Sequence, residues 1–161
     1  MKNDPHHTIV GLISDTHGLL RPSVHAALHG VSLILHAGDV GGDEILDELR
    51  LIAPVHAVYG NTDPIDDPGL VGELTLDIGG MSVHLSHGHE TGVPSPAKLL
   101  ALYPQQILIY GHTHRQLVAK MANRLVVNPG AAGARRFNLS PSVARLTISE
   151  GTAEVEIVPI D

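Results

Sequence analysis

The 161-residue chain has no cysteine and no tryptophan, and only three Tyr and one Phe. Without sulfur ligands, a disulfide framework, thiolate zinc sites and cysteine nucleophiles are all excluded. With aromatics at 2% of residues, Leu, Val, Ile and Ala must fill the core. The stacking platform used to bind single-stranded nucleic acid is missing too. Basic charge is also scarce. Ten Lys and Arg against seventeen Asp and Glu leave a formal charge of −7, which argues against a long nucleic-acid backbone as partner. A small anionic substrate is still allowed, because bound cations often dominate a local field. No stretch approaches the roughly 18 apolar residues of a membrane span. The polar start, Met1 to His7, lacks the basic and apolar segments of a signal peptide. The expectation is a cytoplasmic protein with no membrane partner. Its length and its 43% hydrophobic content suit a single domain spanning residues 1–161.

Short apolar runs recur along the chain. Residues 8–14 (TIVGLIS) and 31–36 (VSLILH) read as buried strands, with a third at 54–59. Between them, a helix from Pro22 to about His29 closes at Gly30, and a second covers 43–51 with Asp43 as its N-cap. This β-α-β-α-β order implies parallel pairing with right-handed crossovers. The pattern then changes. Residues 72–78 alternate and meet 81–86 across Gly79-Gly80, a two-residue hairpin signal. A helix at 94–102 and a strand at 105–110 follow, and then antiparallel strands at 116–121, 124–127, 142–149 and 152–159. The expected architecture is a parallel half and a hairpin-rich half, with two sheets packed face to face and helices outside.

Just after these runs sit five polar clusters: Asp15-Thr-His17, Gly38-Asp39, Gly60-Asn61-Thr-Asp63, His87-Gly-His89 and Gly111-His112-Thr-His114. From Asp15 to Asp39, Asn61, His87 and His112 the steps are 24, 22, 26 and 25 residues. A strand, its return element and the turns take roughly 30 residues. Such spacing therefore returns each cluster to one sheet edge, at the carboxyl ends of strands, where open α/β sheets build ligand sites. An Asp after Gly is usually a turn residue, and a strand-end His is usually polar edge. Five coincidences at matched intervals favour a site. Its oxygen and imidazole ligands, without sulfur, suit manganese, zinc, iron or cobalt. Seven such groups exceed the coordination of one ion, and two ions sharing a bridging carboxylate would use them all. His36, three residues before Asp39, is a candidate to support a ligand from behind. His6 and His7 are expected in a mobile terminus, His25 and His29 on a helix, and His56 and His84 inside strands.

The order D-x-H, G-D, G-N-x-D, H-G-H, G-H-x-H resembles the calcineurin-like metallophosphoesterase superfamily, and within it the small phosphodiesterases of the YfcE type. The segment from Asn128-Pro-Gly to Phe137 is similar to that branch's N-P-G-S stretch with a following Arg. The resemblance covers positions 8 to about 150. It implies a four-layer α/β/β/α sandwich with mixed sheets and two divalent metal ions, manganese expected and zinc, iron, cobalt or nickel the alternatives. One ion would take Asp15, His17, Asp39 and His114. The other would take Asp39, Asn61, His87 and His112, with Asp39 bridging. Two such ions about 3.5–4 Å apart hold a bridging hydroxide that attacks phosphorus in line, and the implied partner is a small phosphate-ester substrate. Oligomeric state stays open, a homo-oligomer included.

Two departures from the pattern matter. Many members carry His after the Asn of G-N, as the acid for the leaving group, whereas this chain has Thr62, a poor acid at neutral pH. His89 is the first candidate to take that role, and the chain is expected to favour good leaving groups such as aryl esters. Ala131 stands where the branch often has Ser, which affects a supporting loop. Arg135 and Arg136 could clamp phosphate but read rather as a solvated pair, with Phe137 packing their loop down. A different-class alternative is the non-catalytic retromer subunit that resembles this branch and binds proteins. That scaffold loses the Asp of G-D and the Asn of G-N, and this chain keeps both. A phosphomonoesterase is a third reading.

Overall fold

The computed structural model describes residues 7–136 and 138–161. The expectations for His6 and Phe137 fall outside them. Ten strands form two five-stranded mixed sheets, and three helices cover their outer faces.

The first sheet is built on β1 (His7–Ile13), β2 (Leu33–His36) and β3 (Val55–Ala57), all parallel. Crossovers through α1 (Ser23–Ala27) and α2 (Asp43–Arg50) join them. The second sheet has β4 (Glu73–Ile78), β5 (Met81–Ser86), β6 (Ile107–Ile109), β7 (Leu117–Met121) and β8 (Arg124–Asn128), in the order β4-β5-β6-β8-β7. In it β5, β6 and β8 run parallel, and α3 (Pro96–Leu102) connects β5 to β6. The last two strands, β9 (Ser142–Ser149) and β10 (Thr152–Pro159), return to the first sheet, where β9 pairs antiparallel with β1. The sequence pattern had grouped all late hairpins in one half. Instead the final hairpin crosses over, because β1 offers β9 a free edge from His7 to Leu12. His7, expected in a mobile terminus, pairs with Ser149 in β1.

Three apolar layers fix this four-layer sandwich. Between the sheets pack Val10, Leu12, Leu35, Val83, Leu85 and Leu146, among others. Outside the first sheet, Val24 and Leu28 of the α1 region and Ile45, Leu46 and Leu49 of α2 cover Ile13, Ile34 and Val143. Outside the second, Leu99 of α3 covers Leu108, Tyr110 and Val126. Central strands such as β2 and β6 therefore point apolar side chains to both faces and read as unbroken apolar runs. The edge strands β4 and β10 alternate instead, with Glu73, Asp77, Glu154 and Glu156 outward, charges that discourage further edge pairing.

Helix ends account for most boundary differences. Gly42, at φ 131°, is the N-cap of α2, and Asp43 lies in the first turn with Glu44. Asp43 therefore favours the helix through its charge near the N-terminus and not through a cap. Helix α1 stops at Ala27, short of His29, because the Arg145 guanidinium from β9 accepts the role of cap and donates to Ala27 O and His29 O. Ser95 caps α3 by accepting from Lys98 N, with Pro96 in the first turn. Three two-residue hairpins form: Ile78 pairs with Met81 across Gly79-Gly80, at φ 58° and 81°, Met121 with Arg124 across Ala122-Asn123, and Ser149 with Thr152 across Glu150-Gly151. Among the described residues no helix is long and apolar enough to cross a membrane.

Leu146 is fully buried between the sheets. Leu146→Ala should cost about 2–5 kcal/mol, read as a lower denaturant midpoint at unchanged slope.

Candidate metal centre

Strand register sets the site. Ile13, His36 and Ala57 align across β1, β2 and β3, so Asp15, Asp39 and Asn61 emerge from one edge. Leu85, Ile109 and Val127 align in the second sheet, which places His87 and His112 opposite them.

The backbone there is strained. Eight described non-glycine residues have positive φ, and five of them are Asp15 (53°), His17 (46°), Asp39 (53°), His112 (71°) and His114 (62°). Left-handed conformations at such residues persist only when the surroundings over-determine them. Here they do. Asp15 N and His17 N donate to Gly38 O and Asp39 O at 3.0 Å, and on the other side Ala132 N donates to Ser14 O. Close approach also dictates glycine. A Cβ on Gly60 would overlap Asp39, one on Gly111 would overlap Ser14, and one on Gly38 would sit 2.7 Å from His87 Nδ1.

Both carboxylates have one tethered and one free oxygen. Asp15 Oδ2 accepts from Ser14 Oγ (2.6 Å) and His112 N (3.1 Å). Its Oδ1 is buried without a hydrogen-bond partner, 3.4 Å from His114 Nε2 and 3.7 Å from His17 Nε2. Asp39 Oδ1 accepts from Thr62 N at 2.9 Å, which leaves Oδ2 3.3 Å from His87 Nε2 and 3.6 Å from His17 Nε2. Burial alone would raise both carboxyls. The His114 and His17 imidazoles outweigh it at Asp15 and hold that group well below the usual range. At Asp39 the His87 ring and the Thr62 N–H bring it down to about 2. Both are ionised at neutral pH.

The imidazoles are oriented too. His87 Nδ1 donates to Ala37 O at 2.8 Å, which aims Nε2 at Asn61 Oδ1, 3.1 Å away. His112 Nδ1 lies 3.1 Å from the same Asn61 oxygen and 3.3 Å from His87 Nε2. Such a convergence of oxygen and nitrogen atoms suits a bound cation. Against burial, the Asp39 and Asp15 carboxylates raise the His87 pKa, while burial and the His87 charge lower that of His112. Two groups result, Asp15/His17/His114 and Asp39/His87/His112, each with ligand atoms within 4.8 Å of one another. Unpartnered Asp15 Oδ1, His17 Nε2 and His114 Nδ1 and a sulfur-free donor set fit divalent metal.

His89 lies beside the cluster, in a 3-10 turn at His89–Thr91 that starts after Gly88 at φ 101°. Its ring centroid is 5.3 Å from that of His87 and 6.4 Å from that of His112, and its Nδ1 is buried without a partner. Arg135 and Arg136 are exposed, and Ala131 is buried. Elsewhere, His25 pairs with Glu48 at 2.9 Å, His56 is exposed, and His84 stacks on Tyr103 at 3.7 Å.

Three supporting residues hold the ligand loops, and only one of them, His36, was marked by the sequence. Gly38 N donates to His36 Nδ1 (3.1 Å), so the ring proton is on Nε2 and faces Thr16 Oγ1 (3.0 Å). The Thr16 hydroxyl in turn donates to Val40 O. Asp63 accepts from Val40 N, Gly41 N and Gly60 N, pinning the loop after β2 to the loop after β3. Asn128 donates to Gly111 O and Thr113 Oγ1 and fixes the His112–His114 loop. Asp63 and Asn128 stood inside recognised motifs, but nothing in their spacing marked a supporting role.

A family model for the calcineurin-like phosphoesterase superfamily domain matches residues 9–151, and the chain belongs to that superfamily. A protein of Methanothermobacter thermautotrophicus named "Probable metallophosphoesterase" is 35% identical over 161 residues, covering 93% of this chain and 91% of its own. Phosphodiesterase MJ0936 of Methanocaldococcus jannaschii is 29% identical over 139 residues, 75% of this chain and 82% of its own. Among solved structures, wild-type Vps29 of Entamoeba histolytica complexed with Zn²⁺ superposes with a TM-score of 0.74 at 28% identity, covering 96% of this chain and all of that one. Family and ligand groups together indicate a metal-dependent phosphoesterase.

Burial holds the pKa of His36 down at about 4, against 6.5 for a free imidazole. The unfolded chain then binds the extra proton between pH 6.5 and 4, so this contribution is present above 6.5 and lost as pH falls toward 4. His36→Gln should flatten the fall in melting temperature over that window relative to wild type, a difference on the order of 3 kcal/mol. Parallel profiles would show that His36 is not held neutral.

Proposed function

We propose that the protein is a phosphodiesterase working with two divalent ions, manganese the expected one. Asp15, His17, Asp39 and His114 would hold one ion, and Asp39, Asn61, His87 and His112 the other. The supporting observation is the free oxygen of Asp39. Oδ2 stands 3.6 Å from a member of one ligand group and 3.3 Å from a member of the other, while Oδ1 is tied back to Thr62 N. A single carboxylate oxygen so placed suits a bridge.

Two ions so held would supply water of lowered pKa and neutralise the phosphoryl oxygens. The chain itself orients these groups. Ala37 O sets the His87 tautomer, Ser14 and His112 N lock Asp15, and the Asn61 carboxamide adds a neutral oxygen. Thr62 offers its N–H to Asp39 and has no acidic side chain for a leaving group. His89, beside the second group with its Nδ1 unpartnered, is our candidate to protonate the leaving oxygen. Likeness to the archaeal phosphodiesterase favours a diester over a monoester. Likeness to the Vps29 structure keeps a protein-binding scaffold as the second reading.

Chelator-stripped protein should hydrolyse bis(p-nitrophenyl) phosphate only after Mn²⁺ is restored, and Asp39→Asn should lose more than about 100-fold in kcat/KM. Two bound ions without turnover would favour the scaffold. Across phenyl phosphodiesters of rising leaving-group pKa, rates should fall, partly offset by His89, and His89→Gln should steepen the fall, by about 100-fold for the poorest leaving groups. A flat series would mean an efficient acid acts in place of the missing histidine.

A further inference from the structure

Two pockets open beside the ligand cluster, one at each ligand group. The first, of 470 Å³, has His112 in its wall and is lined mainly by Val93, Pro94, Pro96, Tyr110 and Leu117. The second, of 390 Å³, has His114 in its wall and is lined by Gln116, Asn138, Leu139 and Ser140. His112 belongs with Asp39 and His87, and His114 with Asp15 and His17. Arg115 borders both pockets. Its loop is fixed, because Arg115 N donates to Thr113 Oγ1, which also accepts from Asn128.

Resting on the phosphodiesterase reading, we propose that these pockets receive the two ester arms. The substrate is then an asymmetric phosphodiester with one apolar, ring-bearing arm beside His112 and one hydroxylated arm beside His114. Both volumes fall in the range of small-molecule sites. Their linings differ in kind. The first offers aliphatic, proline and tyrosine surface to a ring, and the second offers two carboxamides and a hydroxyl to an arm that can hydrogen-bond. Arg115 at their shared border supplies a guanidinium for the phosphate's charge. A third pocket, of 260 Å³ beside His89, is lined by Tyr59, Gly72, Glu73 and Glu90. Its two carboxylates repel a further anionic group, so an arm ending in a second phosphate is rejected there. Two open, unlike pockets on either side of one phosphate fit a diester, whereas a monoester fills only one.

Two synthetic diesters isolate the second arm. 4-Hydroxybutyl p-nitrophenyl phosphate and pentyl p-nitrophenyl phosphate share the ring arm and differ only by a terminal hydroxyl in place of methyl. In both, the oxygen of water bonds to phosphorus, the P–O bond to the ring arm breaks, p-nitrophenolate departs, and the protons of water pass to solvent. With the Mn²⁺-loaded full chain, the hydroxybutyl ester should show roughly tenfold higher kcat/KM. Gln116→Leu should erase that preference. Val93→Asp, on an exposed loop position, should lower kcat/KM for both esters by roughly tenfold, mostly through KM. Equal values for the two esters, or no effect of Val93→Asp, would overturn the arm assignment and leave the diesterase standing. No turnover of either ester would remove the diesterase reading and this one with it.

Discussion

Each of the two candidate ligand carboxylates, Asp15 and Asp39, has one oxygen tied down and the other left bare. Asp15 gives Oδ2 to Ser14 and His112 N, and Asp39 gives Oδ1 to Thr62 N. The bare oxygens then face a ring of imidazole nitrogens, the arrangement least comfortable in a dry interior. It is also reached through backbone that resists it. Five of the seven candidate ligands have positive φ, and at about 1 kcal/mol each that strain sums to ~5 kcal/mol, comparable with the net stability of a small domain. The loops could not hold this geometry alone. They are pinned by Asp63 across three N–H groups, by Asn128 across the histidine loop and by His36 between two strand ends. Behind them lie sheet layers packed mainly with aliphatic side chains.

The same layers serve more than one purpose. The Zn²⁺ complex of Vps29 from Entamoeba histolytica shares this architecture over nearly the whole chain, and an architecture alone does not fix a function. What the chain can hold rests on a few edge positions. Asp39 reaches both ligand groups through one oxygen, and Asn61 closes the second group with its carboxamide. Replacing the Asp39 carboxylate with an amide would remove the one negative oxygen shared by both groups and leave each histidine where it is. A protein could then keep its sandwich, and even some metal affinity, while losing the shared charge.

Much of this was readable because strand ends repeat. Equal spacing of the five clusters was a consequence of parallel strands in both sheets, so the seven ligand candidates could be named before any fold existed. The Gly79-Gly80 and Glu150-Gly151 hairpins were legible for the same local reason, since their turns require positive φ. The return of β9 and β10 to the first sheet was not, because antiparallel strands look alike whichever edge they join. Helix ends were lost where the cap came from afar, as with Arg145 on α1. Asp63 and Asn128 were visible as motif letters, but their work is to bind backbone N–H and C=O groups of distant loops, and side-chain patterning does not encode those partners.

Thr62 shows how a single position can redistribute chemistry without disturbing the site. Its N–H still anchors Asp39, so the loop geometry is independent of its side chain. What the hydroxyl cannot do is deliver a proton at neutral pH, and that task shifts to whichever titratable group borders the cluster. His89 is held in place by the turn after Gly88 and faces the second ligand group with one nitrogen unpartnered. Its ring lies 5.3 Å from that of His87 and 6.4 Å from that of His112, so in the proposed role it would serve a leaving group on that side. Under that proposal the direction of bond cleavage would be coupled to which arm lies beside His112, because a proton supplied from one side favours departure of the arm lodged there.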